Sequence, residues 1–365
     1  MAKWKILHLV GDDISIWRVG QIENYIEFLP DELFAQAVVV DKPRMAKVIE
    51  EKLLRKIICT GKRFGSELIA AHNLHKIIKD EKPDIFVCWD IQATEQLKLA
   101  LLGLRGSFKI VFMLFRPFIS EEEQNKLQIA YRGLNMNLLC NLQVNRNWIS
   151  GILKSEERIY TVSPATRIGS ETDKRVLRQY FNLGDDGDRI LIYISPESKL
   201  EDMLKTLNAI GIVQPVYSNI RAVVPVNDDE LAAKLIKFSR QTLIEDILLL
   251  REYNDAHLLL RCCDIVVIPR GVFSEHIETL EAMRCKIPVV ISEYDVSDDL
   301  LIPNETFVNV DRFIPRVLAS AIYKLISNES LQRALTTNAY ELVSKNCTKL
   351  AYRSTTVKIY QQIMG

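Results

Sequence analysis

Short apolar runs recur along the chain, separated by longer stretches whose apolar positions return every three or four residues. In the first half the runs are WKILHLV, AQAVVV, DIFVCW, KIVFML and NLLCNLQV. In the second half they are RILIYIS, RAVVPV, DIVVIP and PVVIS. Several are apolar without alternation, which predicts parallel strands buried on both faces. Between them, residues 66–80 (SELIAAHNLHKIIKD) and 229–239 (DELAAKLIKFS) predict helices. This alternation of strand and helix implies open, doubly wound sheets.

The rhythm runs twice, and the polar stretch SPATRIGSETDKR at 163–175 reads as the linker. Residues 1–165 are expected to form an N-terminal domain and 166–345 a C-terminal one. Residues 346–365 read as a C-terminal helix packing back toward the N-terminal domain. Two such domains facing a central cleft would bind ligands at the carboxyl ends of their strands.

Composition narrows the function classes. A chain of 365 residues suits two domains. Apolar residues at 48% and charged residues at 26% are ordinary for a globular protein. The formal net charge of +0, from 47 basic and 47 acidic side chains, argues against a nucleic-acid binder. The seven cysteines show neither CxxC nor Cys/His ligand spacing, so reduced thiols in the cytoplasm and no zinc site are expected. The opening MAKWKILHLVGDD reads as a first strand rather than a signal peptide. No uncharged apolar run approaches the roughly 20 residues of a membrane span, so a soluble or peripheral protein is expected. Residues 44–65 are basic and partly amphipathic. They suit either a contact with anionic lipid or a solvated helix face in which Glu50 and Glu51 offset the lysines.

One stretch carries a resemblance. Residues Tyr253–Ser292, YNDAHLLLRCCDIVVIPRGVFSEHIETLEAMRCKIPVVIS, resemble the C-terminal domain of family-4 glycosyltransferases. Cys263–Pro269 looks like a strand of that family, Leu280-Glu281-Ala282-Met283 like its following helix, and Pro288-Val289-Val290 like the next strand. Ile247–Tyr253 resembles another family strand, with Arg251 where glycine is common. Asn328–Val343 looks like a late helix pair, and Val19–Tyr25 resembles the opening of the first helix. The resemblance implies a GT-B-like α/β fold, two Rossmann-like doubly wound parallel-sheet domains facing a central cleft. It also implies a retaining glycosyltransferase that moves a sugar from a nucleotide-sugar donor to an acceptor hydroxyl. Neither a metal nor another cofactor is implied, and the acceptor is left open as a sugar, a lipid or a protein.

The chemistry of such a site can be stated from its parts. A diphosphate wants backbone N–H groups at a helix N-terminus and a fixed cation. Sugar and ribose hydroxyls want carboxylates. Negative charge that grows on the leaving diphosphate is stabilised by preorganised cations and helix dipoles. The resemblance makes Lys199 and Glu275 the catalytic candidates, for the diphosphate and the donor sugar. Gly20, Ser274, Glu278 and Glu281 become the donor-binding candidates, with Glu281 matching the glutamate that holds the ribose. Against these stand plainer readings: a helix-start lysine for Lys199, and dipole-paired first-turn glutamates for Glu278 and Glu281.

The pattern also breaks. In the family, seven residues separate two glutamates, but only five lie between Glu275 and Glu281, and Phe273 stands at the expected position. His276 and Ile277 replace small residues that let backbone approach phosphate. Ser195 and Pro196 stand near a missing Gly-Arg pair. Lys286 takes the place of a helix-ending glycine, at a cost of roughly 1 kcal/mol unless the cap changes. Arg116 follows the KIVFML strand where a histidine is frequent, and suits either an anionic ligand or a pair with Glu121 or Glu122. His72 and His75 read as surface residues and His8 as part of the first strand. A catalytically degenerate binding or scaffolding protein on the same fold is the alternative function, with a sugar-nucleotide epimerase as a weaker third.

Overall fold

The computed structural model describes residues 3–11, 16–40, 56–59, 67–104, 106–115, 120–162, 164–166, 173–184, 189–196, 198–226, 228–244, 248–252, 256–269, 276–293 and 300–365. The chain divides into two compact units, Met1–Ala165 with Lys349–Gly365, and Thr166–Thr348.

The first unit is built on strands β1 (Trp4–Val10), β2 (Phe34–Val40), β3 (Lys56–Cys59), β4 (Ile85–Cys88), β5 (Lys109–Leu114), β6 (Asn137–Cys140) and β7 (Ile159–Thr161). They lie in the order β3-β2-β1-β4-β5-β6-β7 and every pairing is parallel. Successive side chains point to opposite faces, and both faces are covered. Ile6, Val38, Ile85 and Val111 pack with Tyr25 and Ile26 of helix α1 (Ile16–Phe28) and with Tyr360 of the chain's last helix. Leu7, Val39, Phe86 and Phe112 pack on the other side. There they meet α2 (Glu67–Glu81), α3 (Ile91–Ala100), α4 (Glu121–Gly133) and α5 (Gln143–Leu153) through Leu74, Leu97, Leu127 and Ile149. Each such large side chain contributes about 1.5–3 kcal/mol when fully buried, which is why the runs carry no alternation.

Two expectations need correction here. The run NLLCNLQV is not one strand: β6 ends at Cys140 and Gln143 opens α5. Asn141 makes the break, because its Nδ2 donates to the carbonyl of Phe115 at 3.1 Å and its Oδ1 accepts from Asn145 at 2.6 Å. Within the basic segment 44–65, Lys56–Cys59 form the edge strand β3 rather than a helix face; the remainder of that segment lies outside the described residues.

The second unit repeats the plan. Strands β8 (Ile190–Ile194), β9 (Ile220–Val226), β10 (Leu248–Glu252), β11 (Ile265–Ile268), β12 (Val289–Ser292) and β13 (Val308–Val310) run parallel in the order β10-β9-β8-β11-β12-β13. Helices α6 (Lys174–Tyr180), α7 (Leu200–Val213), α8 (Asp229–Gln241), α9 (Ala256–Cys262), α10 (His276–Arg284), α11 (Pro315–Ser327) and α12 (Glu329–Asn346) surround the sheet, and α13 (Lys349–Met364) returns to the first unit. Ile192, Val224, Val267 and Val290 share a core with Met203, Leu207, Leu235 and Leu318. Residues on the opposite face, such as Leu191, Tyr193 and Val266, are equally buried. Both units are thus the doubly wound parallel sheets that the apolar runs imply.

The 163–175 stretch is not wholly linker. Asp173 caps α6, and Lys174 reaches Asp264 Oδ1 at 2.6 Å. Arg178, 2% exposed, donates to Asp264 Oδ2 at 2.7 Å and to the carbonyl of Cys262 at 2.9 Å. Residues 328–343, expected as a helix pair, lie in one continuous helix after the cap Asn328.

Candidate functional site

In a parallel sheet, ligands gather where the strand order reverses, beyond the carboxyl ends. In the second unit the reversal falls between β8 and β11. The strand β8 runs straight into Ser195, whose N–H still donates to Val267 of β11 at 3.3 Å. Pro196 follows, and the N–H of Ser198 turns back to the carbonyl of Ser195 at 3.3 Å. Lys199 then caps α7 with its backbone alone: its carbonyl accepts from Asp202 and Met203, and its side chain makes no cap bond. The ammonium is exposed. Glu201, one residue on, is held by Lys205 Nζ at 2.6 Å, so its charge is partly offset within its own helix.

The first turn of α10 meets this turn. Glu278 is fully buried, and its Oε2 accepts a hydrogen bond of 2.5 Å from Ser195 Oγ. The two residues are 83 positions apart in sequence. As an early residue of α10, Glu278 also lies in the favourable field of the helix N-terminus. Glu281 comes a turn later and is half-buried, so the first-turn reading fits Glu278 and not Glu281. Its carboxylate lies near Cys285: the thiol is pushed up to about 11, by burial first and by the negative charge of Glu281 second. Ser274 and Glu275 fall outside the described residues, as do Phe273 and Arg116.

The far end of α10 resolves the Lys286 departure. Lys286 adopts the left-handed conformation, φ 56°, that glycine usually supplies. The N–H of Ile287 reaches the carbonyl of Ala282 at 2.9 Å and that of Lys286 reaches Met283 at 3.1 Å, closing the helix in a Schellman motif. The Lys286 ammonium sits 4.5 Å above the Tyr340 ring.

In the first unit the reversal lies between β1 and β4. Gly11, just past β1, donates its N–H to Asp90 Oδ2 at 2.6 Å, while Asp90 Oδ1 caps α3 at Ala93 N, 2.7 Å away. Sequence reading passed over this pair; the signal is a glycine after one core strand and a helix-capping aspartate after another. Gly20 lies inside α1 and is half-buried, so it belongs to a helix and not to a loop. His8 is fully buried. Trp89 can only donate to it, at 3.4 Å to Nδ1, which makes Nε2 the donor toward Gln36 Oε1 at 3.1 Å. His8 is therefore a neutral core residue. His72 is exposed, whereas His75 is half-buried and bonds the carbonyl of Ala100. Among the described residues no three His, Cys, Asp or Glu side chains are grouped to hold a metal ion. No helix among them is long and apolar enough to cross a membrane.

Residues 228–342 match the family described as glycosyl transferases group 1. The match lies within the second unit. The match runs from α8 through most of α12 and includes Glu278, Glu281 and the β12 strand. No curated protein matches the chain. Among solved structures, HepE of Anabaena in complex with UDP and glucose is similar at a TM-score of 0.80 and 16% identity, over 98% of this chain and 99% of that one. A glycosyltransferase from Rickettsia africae gives 0.74 at 13% identity, over 100% and 99%. Sucrose-phosphate synthase from Thermosynechococcus elongatus gives 0.72 at 13% identity, over 99% of each chain. The shared architecture is GT-B, two parallel-sheet α/β domains.

Proposed function

We propose that this protein is a retaining, metal-independent glycosyltransferase that moves a sugar from a nucleotide-sugar donor to an acceptor hydroxyl. The observation that carries the reading is the family match over 228–342, which includes the first turn of α10, where Glu278 meets Ser195 at the carboxyl end of β8. The retaining outcome follows from the resemblance to family-4 enzymes in the LEAM and PVV segments. A uridine diphosphate sugar is the donor class to test first, because HepE binds UDP and UDP-glucose.

In this reading Lys199 and the N-terminus of α7 face the diphosphate. As the glycosidic bond breaks, negative charge moves onto the leaving diphosphate, where a fixed ammonium and backbone N–H groups stabilise it without a metal. Glu281 accepts hydrogen bonds from the ribose. Glu275, with Ser274 beside it, contacts the donor sugar. Gly20 contributes a side-chain-free position on α1. The acceptor is a sugar, a lipid or a protein. The seven cysteines are thiols outside any disulfide, which suits a reducing, cytoplasmic setting.

Calorimetric titration with UDP and UDP-sugars tests the reading. Micromolar binding, weakened at least tenfold by Lys199→Ala and by Glu281→Ala, is expected, together with slow donor hydrolysis in the absence of acceptor. Binding without turnover for any acceptor class would favour the scaffold reading, in which Ser195 and Phe273 mark a site that no longer works. No binding of any nucleoside diphosphate would sink the proposal.

A further inference from the structure

We propose that Ser195 and Glu278 act as a buried latch, a pair of positioning residues that holds the Lys199 turn against the first turn of α10. The inference rests on the glycosyltransferase reading above and adds two residues to it. It also moves Glu278 from donor contact to support.

Three observations carry it. First, Glu278 is fully buried and Ser195 is 1% exposed, so neither offers its side chain to a dissolved ligand. A carboxylate removed from water is costly unless hydrogen-bonded, and the hydroxyl of Ser195 supplies such a bond at 2.5 Å. Second, Ser195 is fixed on both sides of its peptide: its N–H is held by Val267 of β11 and its carbonyl by Ser198. With Pro196 restricting the next φ, the orientation of Ser195 is passed along a short turn to Lys199. Third, the latch joins two segments that both carry donor candidates. One is the β8–α7 turn with Lys199; the other is α10 with Glu281.

The pair stands where the resemblance lacks its Gly-Arg dipeptide. A glycine would leave the turn free, and an arginine would bring its own charge. This chain instead has a hydroxyl that reaches across to α10. The hydrogen bond does not touch the reacting atoms; it sets the distance between the cation and the helix that flank the diphosphate. Small errors in such distances are expensive for binding and transfer.

The test compares Ser195→Ala, Glu278→Gln and, as a matched control, Leu235→Ala in the full chain. Leu235 is a fully buried core residue on α8 outside the latch. UDP affinity is measured by calorimetry, KM and kcat with a UDP-sugar, and thermal midpoint by scanning calorimetry. Ser195→Ala is expected to weaken UDP and raise the donor KM by roughly tenfold, about 1.4 kcal/mol, with kcat changed less. Glu278→Gln keeps an acceptor for the hydroxyl and is expected to retain most of the affinity. Leu235→Ala is expected to lower the midpoint and leave KM alone. If the wild type binds UDP and Ser195→Ala binds equally well, the latch is wrong while the function stands. If KM follows the midpoint in all three variants, the pair is merely structural and the latch is also wrong. If the wild type binds no nucleotide, the function and the latch fall together.

Discussion

The phenol of Tyr360 hydrogen-bonds the phenol of Tyr25 across 335 residues of sequence. Both rings are fully buried. The Tyr25 ring also meets Trp89 and Tyr352 edge-on, at centroid separations of 5.4 and 5.9 Å. Burial holds all three tyrosine hydroxyls well above their ordinary range. The last helix is thus part of the first unit's core. Removing residues 349–365 is expected to abolish the cooperative unfolding of that unit. Tyr360→Phe should cost about 1 kcal/mol and Tyr360→Ala about 3–5 kcal/mol, read from urea denaturation. Equal stability of Tyr360→Ala and wild type would show that α13 is only appended.

Gly11 and Asp90 are a second such pair. A Cβ on Gly11 would lie 2.5 Å from Asp90 Oδ1, and Asp90 cannot swing away without giving up both Gly11 and the cap of α3. Gly11→Ala is expected to destabilise by about 1–3 kcal/mol. Asp90→Ala should cost about 1 kcal/mol from the lost cap, and more if the Gly11 bond matters. Because both act on one carboxylate, the double variant should be less destabilised than the sum. Strict additivity in a denaturation cycle would refute the coupling.

Lys286 offers a nearly balanced test. A non-glycine residue in the left-handed region costs roughly 1–2 kcal/mol, and the cation over Tyr340 returns about 0.5–1 kcal/mol. Lys286→Gly is expected to change stability by less than about 1 kcal/mol, since it relieves the first and loses the second. Lys286→Val loses the cation and adds β-branching at positive φ, so it should destabilise clearly. A large gain in Lys286→Gly would mean that the ring contact contributes nothing.

The thiols separate by burial. Cys88 and Cys140 are buried and pushed up to about 12, chiefly by desolvation, while Cys59 is exposed. At pH 8 the native protein is expected to be alkylated first at Cys59, with Cys88 and Cys140 reacting only after unfolding. The sign of the pH effect follows. From about pH 9, the ordinary value, up to about 12, the unfolded chain has released protons that the folded chain keeps. Stability is therefore fully present below about 9 and falls above it. Rising stability between pH 9 and 11 would contradict this placement.

Sequence alone determined the parallel sheets and carried a family resemblance. WKILHLV, DIFVCW, KIVFML, RILIYIS and PVVIS are apolar on both faces, and that burial requirement is local enough to read without a structure. The LEAM and PVV segments placed the family resemblance in the half where the group 1 match falls. Tertiary structure decided what depends on partners far along the chain. Asn141 ends its strand because the carbonyl of Phe115 is within reach. His8 is neutral because Trp89 and Gln36 close around it. Lys286 keeps a glycine's conformation beside Tyr340. Glu278 is turned inward onto Ser195, whereas Glu281, a turn later, is half-buried. Hydrophobic period is a property of neighbouring residues, whereas a hydrogen bond between distant ones exists only once the sheet has brought their strands together.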